Sequence, residues 1–181
     1  MAIKRKFPVR VATVYCRGGC RAKRKMEYDA DDCAQAAALC EGGPLVCAEG
    51  CLGCGTCVKA CKFGAIRLNE FGAAEVDEDK CIGCGACARK CPRGLIRLRL
   101  QGAWFAPLCS GRAGGPETRK ACDAGCIACG LCVKKCPADA VRLDELHAVI
   151  DESKCLVCGM CAVACPRGVI VDRRGVLTAP R

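Results

Sequence analysis

Four cysteine runs of one spacing constrain the fold of this chain more than any other feature. Each run reads Cys-x2-Cys-x2-Cys-x3-Cys, and together they comprise Cys51, Cys54, Cys57 and Cys61; Cys81, Cys84, Cys87 and Cys91; Cys126, Cys129, Cys132 and Cys136; and Cys155, Cys158, Cys161 and Cys165. Proline follows three of the runs, whereas Lys62 follows the first. This spacing is the one that bacterial ferredoxins use to bind 4Fe–4S clusters. The sequence therefore predicts four 4Fe–4S clusters and an electron-carrying function.

The runs are expected to exchange ligands in pairs. In two-cluster ferredoxins, the fourth cysteine of one run ligates the cluster of the other run. This rule assigns Cys51, Cys54, Cys57 and Cys91 to cluster one; Cys81, Cys84, Cys87 and Cys61 to cluster two; Cys126, Cys129, Cys132 and Cys165 to cluster three; and Cys155, Cys158, Cys161 and Cys136 to cluster four. Each pair of runs must then fold as one unit.

The paired runs form an internal repeat with an offset of 75 residues between Cys51 and Cys126. We therefore expect an α+β fold of tandem bacterial-type ferredoxin modules, each with two 4Fe–4S clusters, and a small cysteine-rich N-terminal extension. The predicted boundaries are 1–46 for the extension, 47–108 for the first module, 109–121 for a loop-like linker and 122–181 for the second module.

Local patterns predict short elements within this frame. A helical turn should lead to the fourth cysteine of each run, and alternating apolar residues predict four hairpins: 65–68 with 74–76, 95–100 with 104–108, 140–143 with 148–150, and 169–171 with 176–177. Residues 9–15 resemble a strand, and Asp29 or Asp31 is expected to cap a helix from Cys33 to Leu39. His147 is expected in an exposed turn.

Seven cysteines lie outside the four runs, namely Cys16, Cys20, Cys33, Cys40, Cys47, Cys109 and Cys122. A fifth cluster is predicted on Cys16, Cys20 and Cys33, with either Cys40 or Cys47 as its fourth ligand. The alternative is that these thiols are free and pack as small hydrophobic groups. Cys47-x3-Cys51 recurs as Cys122-x3-Cys126, but the sequence does not assign a role to Cys109 or Cys122.

Disulfides and zinc sites account less well for the 23 cysteines. Disulfides form in oxidising compartments, whereas residues 1–14 lack the apolar run and cleavage site of a secretory signal. Zinc sites pair two short Cys or His elements, and this chain has a single His. No segment approaches the roughly 18 apolar residues of a membrane span. We therefore expect a cytoplasmic protein without a membrane span of its own.

The formal net charge of +10 does not require a nucleic-acid partner. A 4Fe–4S cluster with four thiolates carries about −2, so four or five clusters supply about −8 to −10 and offset this excess. Nor does the sequence contain a nucleophile paired with a base, or a glycine-rich phosphate loop. The chain is therefore not expected to be an enzyme on its own.

A wider pattern gives the chain a family resemblance. Cys16-x3-Cys20, Asp32-Cys33, an alanine-rich stretch, Gly42-Gly43-Pro44 and Cys47-x3-Cys51 together resemble the B subunit of Rnf complexes, the ion-translocating ferredoxin:NAD oxidoreductases. The stretch around Cys109, with residues 119–122 and the run that follows, is similar to longer, multi-cluster versions of that protein. The family usually begins with a transmembrane helix and a further cluster domain, neither of which this sequence shows, so a membrane anchor is not carried over.

The resemblance implies a role in a larger assembly. Such a protein would accept electrons from reduced ferredoxin and pass them to other subunits of the complex, at the cytoplasmic face of the membrane. The family often lacks a cysteine at the position of Cys54, where Cys47 is a possible substitute. The alternative function is a free-standing polyferredoxin that serves cytosolic dehydrogenases or hydrogenases.

Overall fold

A computed structural model describes residues 10–173 of the chain. Within them the strands are β1 (Arg10–Val14), β2 (Ile66–Leu68), β3 (Ala74–Val76), β4 (Ile96–Leu100), β5 (Phe105–Pro107), β6 (Val141–Asp144), β7 (His147–Ile150) and β8 (Ile170–Asp172). The helices are α1 (Cys33–Ala38), α2 (Thr56–Lys59), α3 (Ala86–Lys90), α4 (Gly115–Ala121), α5 (Leu131–Lys134) and α6 (Met160–Val163). This mixture of short helices and strands confirms the predicted α and β composition.

Within the described residues, the strands form four antiparallel pairs, only two of which are local hairpins. The predicted hairpins β2–β3 and β6–β7 are confirmed. The hairpin predicted between residues 95–100 and 104–108 is wrong, because β4 pairs with β1 and β5 pairs with β8. The pairing with β1 buries Val11, Ala12 and Val14, which a local hairpin would leave without a partner. Residues 176–177, predicted to pair with 169–171, lie outside the described residues.

The distant strand pairs reveal two structural repeats, which we define as the first repeat (residues 10–100) and the second repeat (residues 105–173). In the first, Val14 pairs with Ile96, and in the second, Pro107 pairs with Ile170. Cys16 and Cys109 each follow two residues after the end of these equivalent strands. The predicted boundaries at residues 46 and 108 therefore cut across the β1–β4 and β5–β8 pairs.

Four short helices present the cysteine runs, as predicted. α2, α3, α5 and α6 each begin after a glycine in the left-handed region, and these N-cap glycines are Gly55, Gly85, Gly130 and Gly159. Their φ angles lie between 72° and 76°, where a side chain would be strained. The second residue of each helix is the third cysteine of its run, and it is buried in every case. Backbone conformation thus turns one sulfur of each run inward.

Three local expectations need correction. α1 forms, but its cap is Asp32, whose carboxylate accepts hydrogen bonds from the N–H groups of Ala34 and Gln35 at 2.8 and 2.9 Å. The segment predicted as a loop-like linker contains α4, since Pro116 lies in the first turn, where its missing N–H is not needed. His147 is only 7% exposed, because it begins β7 instead of occupying the turn before it.

Candidate metal centres

Two of the predicted ligand sets line a cavity each. Cys126, Cys129, Cys132 and Cys165 surround one cavity. Cys61, Cys81, Cys84 and Cys87 surround another. In both, three sulfur-bearing residues come from one run and the fourth comes from the partner run. The fold therefore brings together cysteines across the runs in the exchanged arrangement.

The set predicted for cluster one differs by one residue. Cys51, Cys57 and Cys91 line a third cavity, but the fourth cysteine in its wall is Cys33, not Cys54. Cys54 directs its thiol to the carbonyl of Leu52 at 3.7 Å. α1 positions Cys33 here, because the N–H of Cys33 donates to the Thr56 hydroxyl at 2.8 Å and so joins the start of α1 to the start of α2.

Electrostatics support the place of Cys33 in this set. Burial raises the pKa of Cys57 to about 12, and the neighbouring thiols that add to the shift are Cys51, Cys33 and Cys91. At the equivalent Cys132, burial raises the pKa to about 11, and the contributing thiols are Cys126, Cys165 and Cys129. Cys33 thus takes the place in the first repeat that Cys129 has in the second. Cys54 lies directly beside Cys33. Burial is the main reason that the pKa of Cys54 is raised, and the neighbouring Cys33 thiol is the next.

The fourth set is assembled across runs as well. Burial raises the pKa of Cys161 to about 11, and Cys155 and Cys136 are among the thiols that add to this shift. Cys158, the remaining member, is exposed. The fourth cysteine of the third run therefore lies near the fourth run, as exchange requires.

Backbone N–H groups point at several of these sulfurs. Ala12 donates to Cys81, Ala140 donates to Cys136 and Val169 donates to Cys165, each with a nitrogen–sulfur distance of 3.3 Å. Hydrogen bonds of this kind stabilise negative charge on a metal-bound thiolate and tune the reduction potential of a cluster. Soft sulfur donors with N–H support suit an iron–sulfur group, so the residues fit the predicted clusters.

The sulfurs of each set stand apart from one another. Among residues 10–173, no three Cys, His, Asp or Glu side chains come close enough to hold a single metal ion. Four thiolates on one zinc ion would lie about 4 Å apart, given a zinc–sulfur bond of about 2.3 Å. A cubane carries one thiolate on each of its four irons and separates them further, so this spacing is compatible with a 4Fe–4S cluster.

The fold divides the cysteines predicted for a fifth cluster between different neighbourhoods. Cys33 lies with Cys51, Cys54 and Cys57. Cys16 and Cys47 instead have Cys109 as a neighbour, and Cys20 is exposed. Sequence reasoning left Cys109 and Cys122 without a role. The signal for Cys122 was the recurrence of a cysteine four residues before the first and third runs, at Cys47 and Cys122.

Comparison with known proteins agrees with the spacing of the runs. Residues 50–95 and 125–169 match the 4Fe-4S dicluster domain, and these two stretches hold all sixteen run cysteines and half of the chain. No helix within residues 10–173 has the length and apolar character needed to cross a membrane.

Three relatives have the same general description. The B subunit of the proton-translocating ferredoxin:NAD(+) oxidoreductase complex of Clostridium ljungdahlii is 48% identical over 80% of this chain and 51% of its own length. The B subunit of the Na(+)-translocating complex of Acetobacterium woodii is 42% identical over 39% of this chain and 22% of its own length. The B subunit of the ion-translocating oxidoreductase complex of Methanosarcina acetivorans is 37% identical over 78% of this chain and 54% of its own length. The resemblance predicted from the sequence is confirmed, and the chain spans about half the length of the first of these relatives.

Proposed function

Since the chain belongs to the family of 4Fe-4S dicluster domain proteins, we propose that it is the electron-transfer component of a ferredoxin:NAD oxidoreductase complex. Bound 4Fe–4S clusters supply one-electron chemistry at potentials that their surroundings set. The observation that carries the proposal is the set of three cavities, each lined by four cysteines from two or more sequence segments. Each repeat would be a bacterial-type ferredoxin module with two clusters.

The chain contributes ligands and their support. We propose that Cys61, Cys81, Cys84 and Cys87 hold cluster two; Cys126, Cys129, Cys132 and Cys165 hold cluster three; and Cys136, Cys155, Cys158 and Cys161 hold cluster four. For cluster one we propose Cys51, Cys57 and Cys91 with Cys33 as the fourth ligand, and Cys54 as the ligand that competes with it. Because burial raises the pKa of Cys57, Cys132 and Cys161, loading must expel the protons of these thiols, and the ligand bonds then supply folding energy.

The ligands proposed for each cluster differ in their exposure to solvent. The third cysteine of each run is buried, whereas Cys84, Cys129 and Cys158 are exposed. An exposed ligand gives an incoming redox protein a short approach to the cluster. We propose that ferredoxin and neighbouring subunits dock at these exposed ligands, and that the chain is held at the cytoplasmic face of the membrane through its partners.

The proposal that the chain acts through a complex rests on the relatives, which are subunits of ion-translocating assemblies. The chain would have no enzymatic activity alone, because the cysteines that line these three cavities would bind and orient redox groups instead of a substrate. The alternative, a free polyferredoxin for cytosolic dehydrogenases or hydrogenases, predicts that the chain purifies without partner subunits.

Anaerobic purification with iron, sulfide and EPR analysis tests this function. We expect 16 or more iron atoms per chain, roughly four for each cluster, and reversible reduction by reduced ferredoxin of the same source. A folded chain with about eight iron atoms or fewer would refute the four-cluster proposal. Full loading without any electron exchange with ferredoxin would refute the proposed role while leaving the clusters in place.

A further inference from the structure

We propose that Cys16, Cys47, Cys109 and Cys122 hold a fifth 4Fe–4S cluster at the junction of the two repeats, with two ligands from each repeat. The inference deepens the proposed function, on which it rests, by assigning a site that the dicluster domains do not contain. None of the four cysteines lies within the two dicluster matches, which cover residues 50–95 and 125–169.

Neighbouring segments bring the four cysteines together from distant parts of the sequence. Ala22 pairs with Cys122 in an antiparallel bridge, and Arg24 pairs with Leu45, two residues before Cys47. Residues 22–25 thus lie between the segments that carry Cys47 and Cys122. Backbone hydrogen bonds connect Lys23 to both segments. The N–H of Lys23 donates to the carbonyl of Ala121 at 2.8 Å, and the N–H of Val46 donates to the carbonyl of Lys23 at 2.9 Å.

The sulfurs of Cys16 and Cys122 face a shared space. A methyl group placed on Gly18 would lie 3.5 Å from the sulfur of Cys16 and 3.5 Å from that of Cys122, so these sulfurs are no more than twice that distance apart. Cys109 is close enough to Cys16, Cys47 and Cys122 to interact with them electrostatically, and Cys122 is close enough to Cys47 to do the same. Each cysteine of the set therefore has a cysteine of the other repeat as a neighbour.

The two repeats support their sulfurs in the same way. The N–H groups of Gly18 and Cys51 donate to Cys16, and those of Gly111 and Cys126 donate to Cys109, all at 3.3 Å. This is the N–H···S distance found at Cys81, Cys136 and Cys165 in the ferredoxin-type sets. A thiol packed only as a small hydrophobic group has no need of two such donors.

The other two cysteines are also anchored alike. Arg93, two residues after Cys91, donates to the carbonyl of Cys47 at 3.2 Å. Arg167, two residues after Cys165, donates to the carbonyl of Cys122 at 2.6 Å. Cys16 corresponds to Cys109 and Cys47 corresponds to Cys122, so the set has the two-plus-two composition of a site on a two-fold axis.

Charge near the set is favourable for a buried anion. Arg21 and Arg167 place positive charge near Cys122, and the guanidinium of Arg167 donates to the carbonyl of that residue. The Nε of Arg21 is buried and has no hydrogen-bond partner among the described residues. Such an unsatisfied donor is costly, and the backbone of Arg21 adjoins the segment that carries Cys122, since its carbonyl accepts a hydrogen bond from the N–H of Asp123 at 3.0 Å.

Iron and sulfide counts on anaerobically purified full-length chain test the assignment. We expect about 20 iron atoms for the unsubstituted chain and about 16 for Cys16→Ser, Cys47→Ser, Cys109→Ser or Cys122→Ser. The double variant Cys16→Ser/Cys109→Ser should also retain about 16, because both residues serve one cluster. Two separate sites would give a larger loss in the double variant and would overturn the proposal.

Matched controls are Cys20→Ser and Cys40→Ser, which lie outside the proposed set and should leave about 20 iron atoms. Loss of a cluster in Cys20→Ser would favour the N-terminal set predicted from the sequence and overturn this one. Spin integration of the fully reduced, unsubstituted chain gives a measurement free of folding effects. Five spins per chain are expected, and an unsubstituted chain with four spins and 16 iron atoms would overturn the fifth cluster but leave the proposed electron-transfer function intact.

Discussion

An ion pair between the repeats offers a quantitative test of the fold. The side chain of Arg99, on β4, is only 4% exposed, and its Nε donates to the carboxylate of Glu152 in the second repeat at 2.9 Å. Replacing Glu152 by glutamine removes the charge and leaves the guanidinium buried. Breaking a fully buried pair costs about 3–5 kcal/mol. Glu152 is 31% exposed and Arg99 retains its bond to the carbonyl of Phe105, so we expect about 2–3 kcal/mol.

Anaerobic thermal unfolding followed by visible absorbance measures this cost. For a protein of this size, about 2–3 kcal/mol lowers Tm by about 5–10 °C. The control is Glu75→Gln, because the Arg67–Glu75 pair is exposed on both sides and contributes about 0–1 kcal/mol. All variants are scanned at one rate, since loss of the cluster makes unfolding irreversible. Equal shifts in Glu152→Gln and Glu75→Gln would refute the reasoning that the repeats are held by a buried pair.

Three further outcomes follow from the site. Cys91→Ala should remove about four iron atoms and weaken the first repeat, because Cys91 lines the cavity of the other run and is proposed to ligate its cluster; an unchanged iron count from elemental analysis would contradict ligand exchange. Cys33→Ala should remove about four iron atoms whereas Cys54→Ala should remove none, and the reverse result would restore Cys54 as the preferred ligand. Extracting the metal with a chelator should abolish most far-UV circular dichroism, since the ligand bonds supply folding energy; a metal-free chain with an unchanged spectrum would contradict this dependence.

Sequence reasoning reached the parts of the structure that depend on local spacing. The cysteine runs fix four short helices, because each places its third cysteine one residue into a helix that a left-handed glycine begins. The hairpins β2–β3 and β6–β7 were predictable for the same reason, since a few residues separate their strands. In these elements the pattern of apolar residues and the turn chemistry agree.

Pairing between distant strands could not be derived in this way. β4 has an alternating pattern that fits any antiparallel partner, and the sequence favours the nearest one. Burial favours the distant partner instead, because four of the five residues of β1 are buried in this pairing. The sequence alone assigns Cys16 to an extension and Cys109 to a linker. Because β1 pairs with β4 and β5 pairs with β8, the two cysteines instead occupy equivalent positions in the two repeats. The ligand set of the fifth site therefore depends on tertiary pairing that no local window contains.

The repeat also explains why the junction is a suitable place for a cluster. Arg99 reaches Glu152, and the equivalent Arg173 reaches Glu78 at 2.5 Å, so the repeats exchange the same contact in both directions. Reciprocal contacts place equivalent residues on either side of one axis, as in a symmetric dimer. A half-site of two cysteines in each repeat then becomes a complete set of four only when the repeats associate. Metal binding at that position would join the modules by ligand bonds, in a chain whose cores consist mainly of small side chains and cysteines.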